Sequence, residues 1–188
     1  MDTSLARRAM IDRQLRPEAV TNPAVLTAMG SVAREDYVPV SARAFAYFDR
    51  PIALGDGRSM MPPAALGRLL SELAPRPGER ALVVGGAGGY SAALLSAIGL
   101  AVTSIDGPDA GEGDPVDLIL IDGAVDDVPQ PLVDRLVEGG RLATALRAGG
   151  VSSLVVGRAA AGRLSLRNIV NADVAPLPQF ARPRQFTF

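Results

Sequence analysis

Two aspartates, Asp106 and Asp122, each close a short apolar run, LAVTSID and DLILID, and both runs lie downstream of the stretch ALVVGGAGGYSAALLS at 81–96. Carboxylates, hydroxyls, arginine and backbone groups are the chemical tools at hand, because the chain contains no histidine and no cysteine. Ser-His hydrolysis, thiol catalysis and zinc enzymology are excluded on that ground, and no metal site is expected. What the pattern offers is ligand binding at a bare backbone. Gly85, Gly86, Gly88 and Gly89 stand between a strand-like run and a helix-like run. A turn that leaves a parallel strand and enters a helix presents free N–H groups and the positive end of a helix dipole. Glycines there allow close approach and leave room for an adenosine-sized ligand. Asp106 lies seventeen positions beyond Gly89, near the offset of about twenty at which an acid reaches a ribose diol in nucleotide-binding α/β folds. Asp122 ends the next strand at the same sheet edge. Glycine turns also serve plain strand–helix packing, and an Asp after a strand is often a turn or cap residue. Convergence of all three features at one edge is what marks a site. The turn has no neighbouring Lys or Arg and no Walker pattern, which argues against a phosphate; a dinucleotide stays open, although the third glycine of its fingerprint would fall on Tyr90.

The elements that must hold these residues can be read from spacing. Leu5, Met10, Ile11 and Leu15 approximate a helical stripe over 5–15. Asn22 and Pro23 form a helix start, as N-cap and first helical residue, ahead of AVLTAMGSV. Segment 37–63, dense in Pro, Gly and aromatics, reads as loops and short turns. Leu66, Leu69, Leu70 and Leu73 then form one stripe of a helix that stops before Pro75. Strand ALVV, a helix from about Tyr90 to Ile98, strand LAVTSID, the buried-type strand DLILID, a helix from about Pro131 to Val137 and strand RLATAL follow. SSLVVGRA and RLSLRNIV make a hairpin across Ala161-Gly162. This alternation predicts a doubly wound α/β sheet, mostly parallel, with an antiparallel C-terminal edge. One domain over 1–188 is expected, with N-terminal helices and a loop over 1–74 and the sheet over 75–188. Leu177, Phe180, Phe186 and Phe188 are expected to seal the sheet edge or to dock another subunit.

The totals narrow the partners. Nineteen basic and twenty acidic side chains give a net charge of −1, without the basic excess that drives binding to nucleic acid. The N-terminal MDTSLARRAMIDRQL is charged, and no run approaches the roughly eighteen apolar residues that span a bilayer. A cytoplasmic protein with no nucleic-acid or membrane partner is the expectation.

Taken in order, MIDRQLRPEAV, VLTAMGSVAREDYVP, AYFDRPIALGDGRS, LAPRPGERALVVGGAGGYSAALL, DLILIDGAV, VEGGRL and the closing LPQFARPRQFTF resemble the blocks of the protein-L-isoaspartate O-methyltransferases, in particular their divergent bacterial members. The resemblance implies a Rossmann-like, seven-stranded methyltransferase core that binds S-adenosylmethionine and methylates isoaspartyl carboxylates in damaged proteins. It implies that Gly85 and Gly89, with Gly86 and Gly88 between them, line the cofactor, that Tyr90 begins the helix beneath it, that Asp106 holds the ribose hydroxyls and that Asp122 and Gly123 flank the methionine moiety. Arg58 and Ser59 fall in its substrate loop as catalytic candidates. Such chemistry suits a chain without His or Cys, since a carboxylate is already nucleophilic at neutral pH and the protein has mainly to align it and exclude water.

Four features depart from the family's pattern. Val83 stands where an acid is usual, Ala87 at the middle glycine, and Met61 where a serine precedes a proline by two residues; a thioether cannot donate a hydrogen bond. Between Asp106 and Val116 there are only the nine residues GPDAGEGDP, too few for a helical crossover of about a dozen yet able to reach about 30 Å as an extended loop. The sheet is therefore expected to be shortened in the middle but intact. Asp114, in what resembles a remnant acidic turn, is a candidate for the adenine amine. Two further readings stand beside the repair enzyme: a catalytically degenerate relative acting as a binding or scaffold protein, and a methyltransferase for another acceptor.

Overall fold

The computed structural model describes residues 3–86 and 89–180; Gly88, Ala87, Phe186 and Phe188 lie outside them. The chain opens with helix α1 (Thr3–Met10), which runs on as a π-helical turn over Ile11–Leu15. Helix α2 (Pro23–Ser31) begins as its sequence predicts: the Asn22 side chain accepts from the amides of Ala24 at 3.0 Å and Val25 at 3.3 Å, with Pro23 at the first helical position. The stretch read as loops follows a 3₁₀ turn over Arg34–Tyr37 and holds a second over Val40–Phe45 and a hairpin of β1 (Ile52–Gly55) and β2 (Arg58–Met60). Its turn is Asp56-Gly57, both at positive φ, the geometry that a two-residue hairpin favours.

The remaining elements are α3 (Pro63–Leu73), β3 (Arg80–Val84), α4 (Tyr90–Ile98), β4 (Ala101–Ile105), β5 (Val116–Val125), α5 (Gln130–Val133), β6 (Leu136–Ala148), β7 (Val151–Ala160) and β8 (Arg163–Asn171). The main sheet has the order β4-β3-β5-β6-β7-β8; its first four strands are parallel, and β7 and β8 add antiparallel. Ala161 and Gly162, both at positive φ, make the last tight turn, as predicted. The helix predicted over 131–137 is a single turn. Leu136 already pairs with Val116, and the register jumps to Leu118 opposite Arg141, so Val137–Gly140 form a bulge inside β6 instead.

The two faces of the sheet are covered unequally. On one, Val83, Leu118, Leu120 and Ala143 pack with Leu66, Leu69, Leu70, Leu94 and Met29 from the helices. On the other, Leu82, Val84, Ile119, Ile121 and Leu142 meet Leu132, Leu136, Leu177 and Phe180. The missing crossover explains the thin side. Residues 107–115 run from the end of β4 to the start of β5 past β3 without a helix or strand, and leave a cleft of about 280 Å³ floored by Leu82, Thr103 and Ile105. Among the described residues the main sheet consequently has six strands, where the resemblance implied seven.

Arg135 holds this shortened connection in place. Its guanidinium donates to the Ala110 carbonyl at 2.5 Å and the Asp114 carbonyl at 3.0 Å. Arg135→Ala is expected to cost about 1–3 kcal/mol in urea unfolding, the scale for carbonyls left without a charged donor, and to speed amide exchange across 107–115. A variant as stable as the parent would show that the loop is held by its own backbone.

Candidate functional site

The carboxyl edge of the parallel strands gathers most of the candidate residues. Val84 pairs with Ile105, and the Gly85 amide continues that ladder by donating to the Ile105 carbonyl at 2.8 Å. Gly85 has φ +70° and is buried, a conformation that a side chain would strain. Asp106 therefore emerges beside the turn, with its side chain exposed. Gly89, at φ +79°, is the N-cap of α4, and Tyr90 opens that helix fully buried. Gly123 lies within β5, where its carbonyl accepts from the Thr144 hydroxyl at 3.1 Å.

Asp122 lies beneath this surface. It is 3% exposed; Oδ2 accepts from the Ser91 hydroxyl at 2.6 Å and lies 3.8 Å from where a Gly86 Cβ would stand. Burial pushes its carboxyl up to about 6, with the Ser91 hydrogen bond and the Arg34 charge opposing. Arg34 is the residue that sequence reading missed. It is wholly buried, donates from Nε to the Ala46 carbonyl at 2.7 Å and from Nη2 to the Met61 carbonyl, and lies 5.1 Å from the Tyr90 ring centroid. Burial lowers its pKa and raises that of Tyr90 to about 12. Arg34 Nη1, the Tyr90 hydroxyl and Asp122 Oδ1 lack hydrogen-bond partners among the described residues. One arginine thus ties the Met61 backbone to the helix that starts under the glycine turn. Nothing in the run AREDYVP distinguishes an arginine destined for the interior from a surface one.

Two groups of candidates stand apart. Arg58 and Ser59 lie on β2; Arg58 is exposed and 3.9 Å from Asp56, and Ser59 pairs with Ala53. Their hairpin nevertheless reaches the edge at its turn, where a Gly57 Cβ would lie 3.4 Å from Pro178. Asp114, expected at the adenine, lies away from the glycine turn. Its carboxylate is exposed and 3.8 Å from Arg80, the first residue of β3, at the opposite end of the strand from Gly85. Nine residues must return to the amino end of β5, and Asp114 comes too late on that path to remain at the carboxyl edge.

The hollow framed by Gly85, Gly123 and Asp106 holds side chains of the chain's own C-terminal segment. A Gly85 Cβ would lie 2.8 Å from Leu177 Cδ1 and 3.3 Å from Gln179 Nε2, and a Gly123 Cβ would come closer still to Leu177. Gln179 Nε2 donates to the Asp106 carbonyl.

A parallel sheet with a glycine turn after one strand, and an acid after its neighbour, defines the Rossmann-like class of α/β proteins that hold ligands at the carboxyl edge. Within that class, the sequence profile of the protein-L-isoaspartate(D-aspartate) O-methyltransferases matches residues 6–107. A relative from Methylorubrum populi, named protein-L-isoaspartate O-methyltransferase, is 35% identical over 74% of this chain and 79% of its own. One of the same name from Koribacter versatilis is 31% identical over 93% of this chain and 91% of its own. Among solved structures, a Plasmodium falciparum chain described as a protein-L-isoaspartate O-methyltransferase, in complex with S-adenosyl-L-homocysteine, superposes with a TM-score of 0.75 at 15% identity, over 95% of this chain and 99% of that one. The chain belongs to the protein-L-isoaspartate(D-aspartate) O-methyltransferase family. No helix among its described residues is long and apolar enough to cross a membrane.

Asp122 makes stability depend on pH. Its folded pKa, about 6, exceeds the ordinary 3.8, so the folded state binds the extra proton between these values and stability falls as pH rises through that window. About two units correspond to about 3 kcal/mol. Asp122→Asn, which keeps an acceptor for Ser91, is expected to gain about that much unfolding free energy over the parent between pH 4 and pH 7. Parallel urea curves at the two pH values would show instead that the carboxyl ionises normally beside Arg34.

Proposed function

We propose that this protein transfers the methyl group of S-adenosylmethionine to isoaspartyl carboxylates in damaged proteins, in the cytoplasm. The observation that carries the reading is family membership through the segment that contains the glycine turn and Asp106, which the fold brings to one edge. The residue set fits an adenosyl ligand. Gly85, Gly86 and Gly89 offer a backbone that a ligand can approach, Asp106 offers an exposed carboxylate to a ribose diol, and Gly123 offers a stretch of β5 without a side chain. The space fits only when Leu177 and Gln179 leave it.

When bound, the sulfonium supplies an electrophilic methyl group; the acceptor carboxylate becomes a methyl ester and the donor leaves as a neutral thioether. No proton has to be removed from the acceptor, so no general base is needed. The protein's contribution is alignment and dryness. Tyr90, wholly buried against Arg34, supports the turn from below, and Arg34 fixes the start of the segment after β2 through the Met61 carbonyl. Arg58 and Ser59, on the hairpin beside this edge, are the side chains offered to the damaged peptide.

Asp106→Ala is expected to weaken S-adenosylhomocysteine binding by about 1–3 kcal/mol, the scale of a lost charge-assisted hydrogen bond. Unchanged affinity in calorimetry would remove Asp106 from the ribose role. Transfer of labelled methyl to an isoaspartyl peptide, compared with its aspartyl counterpart, tests the acceptor.

One observation favours a second reading, a family member that binds without methylating. Met61 is 2% exposed, and its thioether has no donor where the resemblance places a serine hydroxyl. On this reading Met61→Ser raises methyl transfer several-fold at unchanged S-adenosylhomocysteine affinity. A parent that already turns over the isoaspartyl peptide sets that reading aside.

A further inference from the structure

The segment that fills the ligand hollow is itself built into the fold. Beyond β8 the chain turns back along β5: the Ala124 amide donates to the Ala175 carbonyl at 2.9 Å, and the Leu177 amide donates to the Ala124 carbonyl at 2.8 Å. Pro176 forms a parallel bridge with Ala124. The Ser152 hydroxyl donates to the Val174 carbonyl at 3.3 Å. A 3₁₀ turn over Pro178–Phe180 then carries Gln179 across to the Asp106 carbonyl. Leu177 and Phe180 are 4% and 8% exposed, whereas Gln179 is exposed.

We propose that residues 174–180 form an intramolecular strap that competes with S-adenosylmethionine for the glycine cradle, so that the binding-competent protein is the form in which the strap has lifted from Gly85, Gly123 and Asp106. This rests on the functional reading above and adds a condition to it. The cradle's lack of side chains is what lets a ligand approach, and the same bareness lets the Leu177 isobutyl group settle against Gly85 and Gly123. Both occupants cannot be accommodated: Leu177 Cδ1 already stands 2.8 Å from the Cβ position of Gly85.

Two features make the strap a releasable element. Among the described residues it is joined to β5 by two backbone hydrogen bonds, both to Ala124, and its contact with Asp106 is an exposed carboxamide. Pro178 also lies beside the hairpin turn, its ring 3.4 Å from where a Gly57 Cβ would stand. Displacement of that turn by an incoming peptide therefore loosens the strap from its other side, which links acceptor engagement to opening of the cradle. Apparent affinity falls in proportion to the fraction of molecules in the open form.

The experiment is calorimetry with S-adenosylhomocysteine on the parent, Gln179→Ala and Leu177→Ala, paired with hydrogen exchange of the parent with and without saturating ligand. Thermal unfolding checks that each variant is folded, and Gln179→Ala, at an exposed position, leaves the apolar packing untouched. The expected result is affinity tightened about 10-fold or more in Leu177→Ala and several-fold in Gln179→Ala, since each variant raises the open fraction. Ligand should also speed exchange at the Ala124 and Leu177 amides, which join the strap to β5. Measurable affinity that is the same in all three proteins, or exchange at those amides that ligand leaves unchanged, overturns the strap and leaves the functional reading standing. No saturable heat at millimolar ligand in any of the three overturns both.

Discussion

The amide of Gly85 donates to the carbonyl of Ile105, and most of the site follows from that hydrogen bond. It carries the parallel ladder between β3 and β4 one residue beyond Val84, so the chain enters the glycine turn at the point where Asp106 leaves the neighbouring strand. Glycine is needed there because the turn reverses at φ +70° while its carbon backbone is buried. A side chain at Gly85 would strain the backbone and collide with Leu177 at once.

A second constraint joins the N-terminal helices to the sheet. Arg34 is buried with a full charge, which an apolar interior tolerates only when hydrogen bonds and neighbouring charge compensate. It spends two donors on the carbonyls of Ala46 and Met61, and its Cζ stands 5.1 Å from the Tyr90 ring centroid. A parallel arrangement lies nearby, where Arg7 donates to the Tyr47 hydroxyl at 2.8 Å and pairs with Glu35 at 3.2 Å, and Tyr47 donates to Glu35. These polar seams, rather than apolar packing alone, set where the segment after β2 crosses the sheet. Buried Asp122 is compensated in part by the Ser91 hydroxyl and the Arg34 charge.

The unequal covering of the sheet connects the shortened middle to the C-terminal segment. With only nine residues between Asp106 and Val116, that connection supplies no helix to the flank of the sheet, and Leu82, Val84 and Ile121 need apolar partners from elsewhere. Leu177 and Phe180 supply them. One segment therefore completes the core and occupies the hollow, and the loss of a crossover at one point in the chain changes what stands over the cradle at another.

Much of the architecture was legible in the residues. Asn22-Pro23, the leucine stripe of α3, the apolar runs of β3 and β5 and the Ala161-Gly162 turn are local signals, because periodicity, capping and positive φ are settled by a few neighbours in sequence. The placing of Gly85, Asp106 and Gly123 at one edge followed from the strand–helix alternation, since parallel strands end on the same side. The β1–β2 hairpin, inside the segment read as loops and short turns, was not legible, because its flanking runs are too short and irregular to show alternation. The roles of Arg34, Asp122 and Asp114 were not legible, and of Leu177 only its apolar packing on the sheet was, not its place against Gly85 and Gly123. Whether an arginine is buried, which end of a strand a nine-residue loop brings its acid to, and which side chain settles on a bare glycine all depend on contacts between residues far apart in the chain, and only the folded structure brings those together.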